Sequence, residues 1–302
     1  MARGMSISPG TNVAVSEAPP RVNEFRRFFK VFLGRPVVVG GAVVILIFLI
    51  CAIIPQFLAP YNPTYQNLNA ILESPNPAHW LGTDSLGRDL FSRIIYGART
   101  ALIIATSAIG LATVSGTVLG LVAGYFGGWR YIVIMRFIDT LMAFPGMLLT
   151  LTIAALLGGG VKMVIIALGV TAIPGYARIM CGQVMSIREN DYVMAERALG
   201  ASHRRIMFRH LLPNAFPPMI VLMTIAVGFT ILAEAGLSYL GIGITPPAPS
   251  WGSMVNDGFP YLITNPLLSF VPGVAIMFVV FGFSMVGDGL RDALDPRLRG
   301  TL

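Results

Sequence analysis

From Val37 to Ile54 the chain carries no charged or amide side chain. Five further runs are nearly as apolar: Ala101 to Ala123, Leu141 to Leu157, Met163 to Ile179, Met219 to Leu240 and Leu267 to Val286, interrupted only by Arg178 and Glu234. A charge at the centre of a membrane helix costs about 2.5–3.5 kcal/mol on insertion scales, and about 20 apolar residues cross a bilayer. The pattern predicts an all-α integral membrane fold of about six transmembrane helices. Composition agrees, with 55% hydrophobic and 12% charged residues and a mean hydropathy of +0.75. Soluble domains carry roughly a quarter charged residues.

The 302 residues leave little length for a second fold, so residues 26–302 are expected to form one transmembrane domain. Residues 1–25 are rich in Pro, Ser, Asn and Ala and predict a disordered tail. The first apolar run follows this long polar tail without a small-residue cleavage site, and is expected to be an uncleaved span. The net charge of +7 matters through its distribution. All 21 lysines and arginines except Arg88, Arg93, Arg99 and Lys162 fall on one side of the expected spans, which predicts that both termini are cytoplasmic. The same distribution points to a lipid bilayer and not to nucleic acid.

Residues 55–99 would then form a long external loop. There Asp84 or Ser85 can cap a helix containing Asp89 and Arg93 at i, i+4. On the other side, residues 181–213 predict a compact knob. Asp191 can cap a short helix through Leu199, Gly200 can end it in the left-handed conformation, and Ser202 can cap a second helix that stops at Pro213. Along the second span Ala108, Ala112, Gly116, Gly120 and Gly124 recur every fourth residue. That stripe suits close helix approach, within this chain or between subunits.

Other features carry less chemistry. Asp139 can pair with Arg136 three residues earlier, or serve a gate. Glu234 lies in or near a span, which makes it a candidate path residue, or an interfacial structural acid if the span ends early. Pro145-Gly146 and Pro174-Gly175 mark fixed kinks or hinges, and the second pair predicts a kinked or unwound inner end of the fourth span. Cys51 and Cys181 lie far apart and form no C-x-x-C pair. His203 and His210 lack the partners of a metal site and read as solvated loop residues. No catalytic or metal-ligating set emerges.

The run Tyr192-Val193-Met194-Ala195-Glu196-Arg197-Ala198-Leu199-Gly200-Ala201-Ser202, followed by Leu212-Pro213-Asn214, resembles the cytoplasmic "EAA" loop of binding-protein-dependent ABC permeases. Gly200, Leu212 and Pro213 fit that pattern, whereas Met194, Glu196 and His210 depart from it. His79 to Asp89, Glu234 to Gly241, Pro249-Ser250-Trp251-Gly252 and Asp288 to Asp292 with Asp295-Pro296-Arg297 are similar to the C-type subunit of the dipeptide/oligopeptide permeases. The resemblance spans residues 25–302 and implies a type I ABC importer permease fold in a bacterial cytoplasmic membrane. It implies an ATPase-coupling loop carried by Tyr192, Ala195, Glu196, Arg197, Ala198, Leu199, Gly200, Ala201, Arg204, Leu212 and Pro213.

It also implies partners: a related second permease subunit in a heterodimer, cytoplasmic ABC ATPase subunits that bind ATP and Mg, and an extracytoplasmic substrate-binding protein. Substrates of such systems are di- and oligopeptides, with glutathione, nickel complexes or other small solutes as alternatives. This chain should need no cofactor of its own. A Walker A loop requires Gly-Lys followed by Ser or Thr, and the only lysines, Lys30 and Lys162, follow Phe29 and Val161. An ion-coupled secondary transporter would need buried ion-coordinating acids and related halves. Neither is evident.

Overall fold

The computed structural model describes residues 32–294. The expected disordered tail and the Asp295-Pro296-Arg297 segment lie outside them. Helix α1 (Pro36–Ile53) opens on a proline, the residue that needs no N–H in a first turn. A single turn, α2 (Pro55–Leu58), leads into an irregular cap over residues 59–89. Among the described residues the only bridge of β type is the isolated pair Thr83 and Asp89 in this cap.

Helix α3 (Leu90–Phe126) begins eleven residues before the expected span, because Asp89 accepts a hydrogen bond from the Ser92 N–H and caps it. Its 37 residues make a rod about 55 Å long. The following apolar run is a broken span. Helices α4 (Gly128–Met142) and α5 (Gly146–Leu156) meet at 89° around Pro145, where the sequence marks a kink or hinge within one crossing. Proline disfavours helix at the residue before it, and α5 alone, about 17 Å long, cannot span about 30 Å of hydrocarbon.

Helix α6 (Val161–Ile187) runs unbroken through Pro174, so the expected unwinding there does not occur. Then come α7 (Asp191–Ala198), α8 (His203–Arg205), a π turn (Ile206–Leu211) and α9 (Leu212–Ala215), which together form a knob. Helix α10 (Pro217–Tyr239) returns across the bundle, α11 (Trp251–Gly258) and a 3₁₀ turn (Phe259–Tyr261) lie at the cap end, and α12 (Leu267–Leu294) completes the crossing. Among the described residues five helices are long and apolar enough to cross a membrane, six crossings if the bent pair is one span. Arg35 pairs with Asp292, so both ends of the described chain lie at the knob end.

The tightest contact is α3 against α6. A methyl on Gly116 would lie 2.5 Å from Tyr176 Cβ, one on Gly120 2.4 Å from the Ala177 carbonyl, and one on Gly124 2.8 Å from the Cys181 carbonyl. The small-residue stripe is therefore a seam within this chain. Backbones can touch there because side chains are missing, which is how helices associate without a hydrophobic driving force. Large apolar residues face outward instead, such as Val114 and Phe137.

The cap is held by its charges. Asp84 accepts from the Leu86 and Arg88 N–H groups and from Arg88 Nε at 2.6 Å, and it faces Arg93 Nε at 3.5 Å. Arg88 and Arg93 also reach Asp257 of α11, at 3.5 and 4.0 Å. His79 Nδ1 sits 2.9 Å from Asp89. Asp84 thus closes a turn and does not cap a helix. Asp84, Arg88 and Asp89 are buried and Glu73 is half-buried, and the exposed residues of the cap, including Tyr65, Leu68, Ile71 and Trp80, are uncharged.

Candidate functional site

The knob is built as two short helices around a tight turn. Asn190, not Asp191, occupies the N-cap position of α7, and Asp191 is its first residue. The helix ends at Ala198 and the chain turns at Gly200, φ +78°. The Ala201 N–H donates to the Glu196 carbonyl and the Gly200 N–H to the Arg197 carbonyl, the two bonds of a Schellman turn. Ser202 caps the next helix by accepting from the Arg205 N–H.

Pro213 does not end that helix. A proline ring collides with the carbonyl four residues back in an α-helix, and the π turn over Ile206–Leu211 widens the backbone just before it. Asn214 Nδ2 donates to the His210 carbonyl at 2.7 Å, satisfying an acceptor in the widened turn.

Inside the knob, Val193, Ile206 and Leu211 are fully buried against Met180 and Val184 of α6. Glu196 lies 3.9 Å from Arg205 and 3.5 Å from His210, so it joins the two helices. Tyr192 reaches Asn214 at 3.5 Å. Ala201 and Leu212 are half-buried, whereas Ala195, Ala198, Arg204 and Pro213 are exposed. Leu199 is 85% exposed at the tip. An apolar side chain so placed, beside exposed Arg204 and Arg209, offers a contact surface and no catalytic group.

Three contacts fasten the knob to the end of α3, and sequence spacing did not indicate them. Tyr125 OH and His203 Nδ1 lie 2.7 Å apart, and the Arg197 guanidinium sits 5.2 Å above the Tyr125 ring. Arg188 Nη1 donates to the Gly124 carbonyl at 2.8 Å. His203 is therefore a bonded residue and not a free loop histidine.

Asp139 pairs with Arg178 of α6 at 2.6 Å, and not with Arg136 as expected. The partner is distant in sequence and reachable only because α4 folds back onto α6. Glu234 is 2% exposed in α10. It accepts from Ser238 at 2.6 Å and from Ser250 at 3.2 Å, and Ser250 caps α11. Ser238 in turn accepts from the Ile244 N–H. Glu234 thus ties α10, its return loop and α11 together. Its spacing to Ser238 was visible as i, i+4, whereas Ser250 was not foundable by periodicity.

Five membrane-length helices, a bent pair that can make a sixth crossing and a projecting knob, all among the described residues, form the fold of a type I ABC importer permease. Residues 116–300 match the family described as the binding-protein-dependent transport system inner membrane component, and residues 23–75 match the N-terminal transmembrane domain of oligopeptide transport permease C. The chain belongs to this family of inner-membrane transport components.

Relatives agree across nearly the whole length. The glutathione transport system permease protein GsiD of Pectobacterium atrosepticum is 39% identical, over 91% of this chain and 92% of that protein. The dipeptide transport system permease protein DppC of Alkalihalophilus pseudofirmus is 40% identical, over 92% and 91%. A solved structure of the MetNI methionine ABC transporter in an inward-facing conformation matches with a TM-score of 0.54 at 20% identity, covering 67% of this chain and 97% of that one. That likeness concerns the fold.

Proposed function

We propose that this chain is the C-type permease subunit of an ATP-driven importer of di- and oligopeptides, with both termini and the knob cytoplasmic and the cap extracytoplasmic. The carrying observation is the knob itself. It is rigidly closed by the Schellman turn at Gly200 and presents an 85% exposed Leu199 with no occupant in this chain. An apolar tip on a stiff support suits a groove in a partner that moves.

In this reading a related second permease completes the path, ATPase subunits binding ATP and Mg receive the knob, and a binding protein delivers solute to the cap. Closure of the ATPases drags the knob and tilts α6 and α10, which are continuous with it. Tyr192, Ala195, Arg197, Ala198, Arg204, Leu212 and Pro213 surround the contact, and Glu196 and Ala201 brace it. Asp139 and Glu234 hold helices in register along the path.

Glutathione is the second substrate reading, supported by the printed name of a relative at 39% identity. The test is uptake into vesicles by the complete complex, comparing radiolabelled dialanine with glutathione, with and without binding protein. Dialanine uptake that requires ATP supports the proposal, and glutathione uptake alone supports the second reading. Uptake that survives ATP depletion with an ion gradient intact overturns both. Leu199→Asp should abolish stimulation of ATP hydrolysis by loaded binding protein.

A further inference from the structure

Tyr125 stands at the last turn of α3, is 6% exposed, and is the point where that helix meets the knob. Its hydroxyl lies 2.7 Å from His203 Nδ1, its ring receives Arg197 at 5.2 Å, and its edge packs on the His203 ring with centroids 5.6 Å apart. Two residues of the knob, one on each short helix, therefore converge on one phenol. The neighbouring Gly124 carbonyl is held by Arg188, at the entrance to the knob.

The other end of α3 is fastened as firmly. Asp89 caps it, Arg93 is 2% exposed beside Asp84 and Asp257, and Trp251 Nε1 donates to the Ile94 carbonyl at 3.0 Å. Between these ends the glycine seam locks α3 to α6. Helix α3 is thus a single rod of about 55 Å gripped by the knob at one end and by the cap and α11 at the other. It is not continuous in sequence with the knob, so it is coupled to it through the seam with α6 and through the contacts at Tyr125.

We propose that Tyr125 is a positioning residue for transport: through His203 and Arg197 it makes α3 move with the knob, so that a displacement at the knob reaches the cap along one helix. The inference rests on the knob being the site where the ATPase docks. Without the phenol contact the seam still carries α3 along with α6, but the last turn of α3 can slip against the knob and the displacement reaches the cap incompletely. Nucleotide hydrolysis then proceeds with fewer solute molecules carried per ATP. Removing one hydrogen bond of ordinary net strength shifts a two-state balance about fivefold, which sets the expected scale.

The experiment uses the complete complex in vesicles, with radiolabelled dialanine and glutathione assayed in parallel and phosphate release recorded together with uptake. Tyr125→Phe keeps the ring and removes the hydroxyl. Solute carried per ATP should fall about three- to tenfold, while basal hydrolysis and half-saturation by loaded binding protein stay within about twofold of wild type. His203→Ala should match it, the double variant should be no worse than either single, and His203→Asn, which keeps a hydrogen-bonding atom near Nδ1, should restore most of the ratio. If Tyr125→Phe fails to assemble, the His203 pair carries the test. A wild-type ratio in Tyr125→Phe and His203→Ala, or strictly additive losses, overturns the inference. Leu199→Asp separates the two levels. If it abolishes stimulation while Tyr125→Phe is normal, only the Tyr125 assignment falls. If it leaves stimulation intact, the docking reading falls and this inference with it.

Discussion

Replacing Gly120 by alanine is the sharpest test of the α3–α6 seam. The added methyl would sit 2.4 Å from the Ala177 carbonyl oxygen, 2.8 Å from Met180 Cβ and 2.9 Å from the Cys181 nitrogen. Two of these atoms are backbone, so no rotamer change relieves the overlap, and the helices must part by about 1 Å. A gap of that size forfeits a quarter to a half of each dispersion contact along the seam. Overpacking typically costs about 1–3 kcal/mol, and alanine regains up to about 1 kcal/mol of helix propensity over glycine. With a rigid backbone on the far side, a net loss of about 2–3 kcal/mol is expected, roughly 30- to 150-fold in the folding equilibrium.

Gly110→Ala is the control, since nothing lies within 4 Å of its added methyl on the same helix. It should be neutral or slightly stabilising. Gly116→Ala should resemble Gly120→Ala, and Gly124→Ala, with a nearest contact of 2.8 Å, should cost less. Reversible unfolding in mixed micelles, followed by tryptophan fluorescence, measures all four. Gly120→Ala and Gly110→Ala agreeing within about 0.5 kcal/mol would refute an internal seam.

Asp84→Asn strands two buried guanidiniums and should cost about 3–5 kcal/mol in the same unfolding assay, whereas half-exposed Asp257→Asn should cost about 0–1 kcal/mol. Equal effects would contradict the central role of Asp84. Glu234→Ala should destabilise by about 1–2 kcal/mol, chiefly through Ser250, because Ser238 can turn back to its own helix. Glu234→Gln should recover most of that loss in thermal melts. Gly200→Val should reduce uptake severalfold and Gly200→Asn much less, since the open space around Gly200 leaves φ +78° as the only obstacle and asparagine tolerates that region. Matching uptake by the two variants would count against a strained turn.

Features set by local chemistry were legible in the sequence. Gly200 and Ser202 announced the knob because a positive φ and a free N–H select particular residue types. The small-residue stripe gave its own period, and its contacts with α6 place it within the chain, the first of the two readings. What escaped depends on neighbours distant in sequence. Arg178 lies 39 residues from Asp139, and no spacing rule could pair them across the 89° bend. Arg136 shares α4 with Asp139 at i, i+3 spacing, which is a local rule, whereas the pairing with Arg178 depends on how α4 packs on α6. Pro213 looked like a stop because an α-helix cannot admit it, and the π turn that does leaves no compositional mark. The Tyr125–His203 contact, 78 residues apart, was hidden in the same way.

The exposed residues of the cap are uncharged, with Asp84, Arg88 and Asp89 paired beneath them, and this has a kinetic consequence. A partner landing on Tyr65, Leu68 and Trp80 makes its contacts with apolar and aromatic side chains and not with surface ion pairs. Encounter there should therefore vary less with ionic strength than at a rim of exposed charges. Selectivity at this face then comes from residence time, set by shape and aromatic contact after collision, and not from how quickly partners find each other.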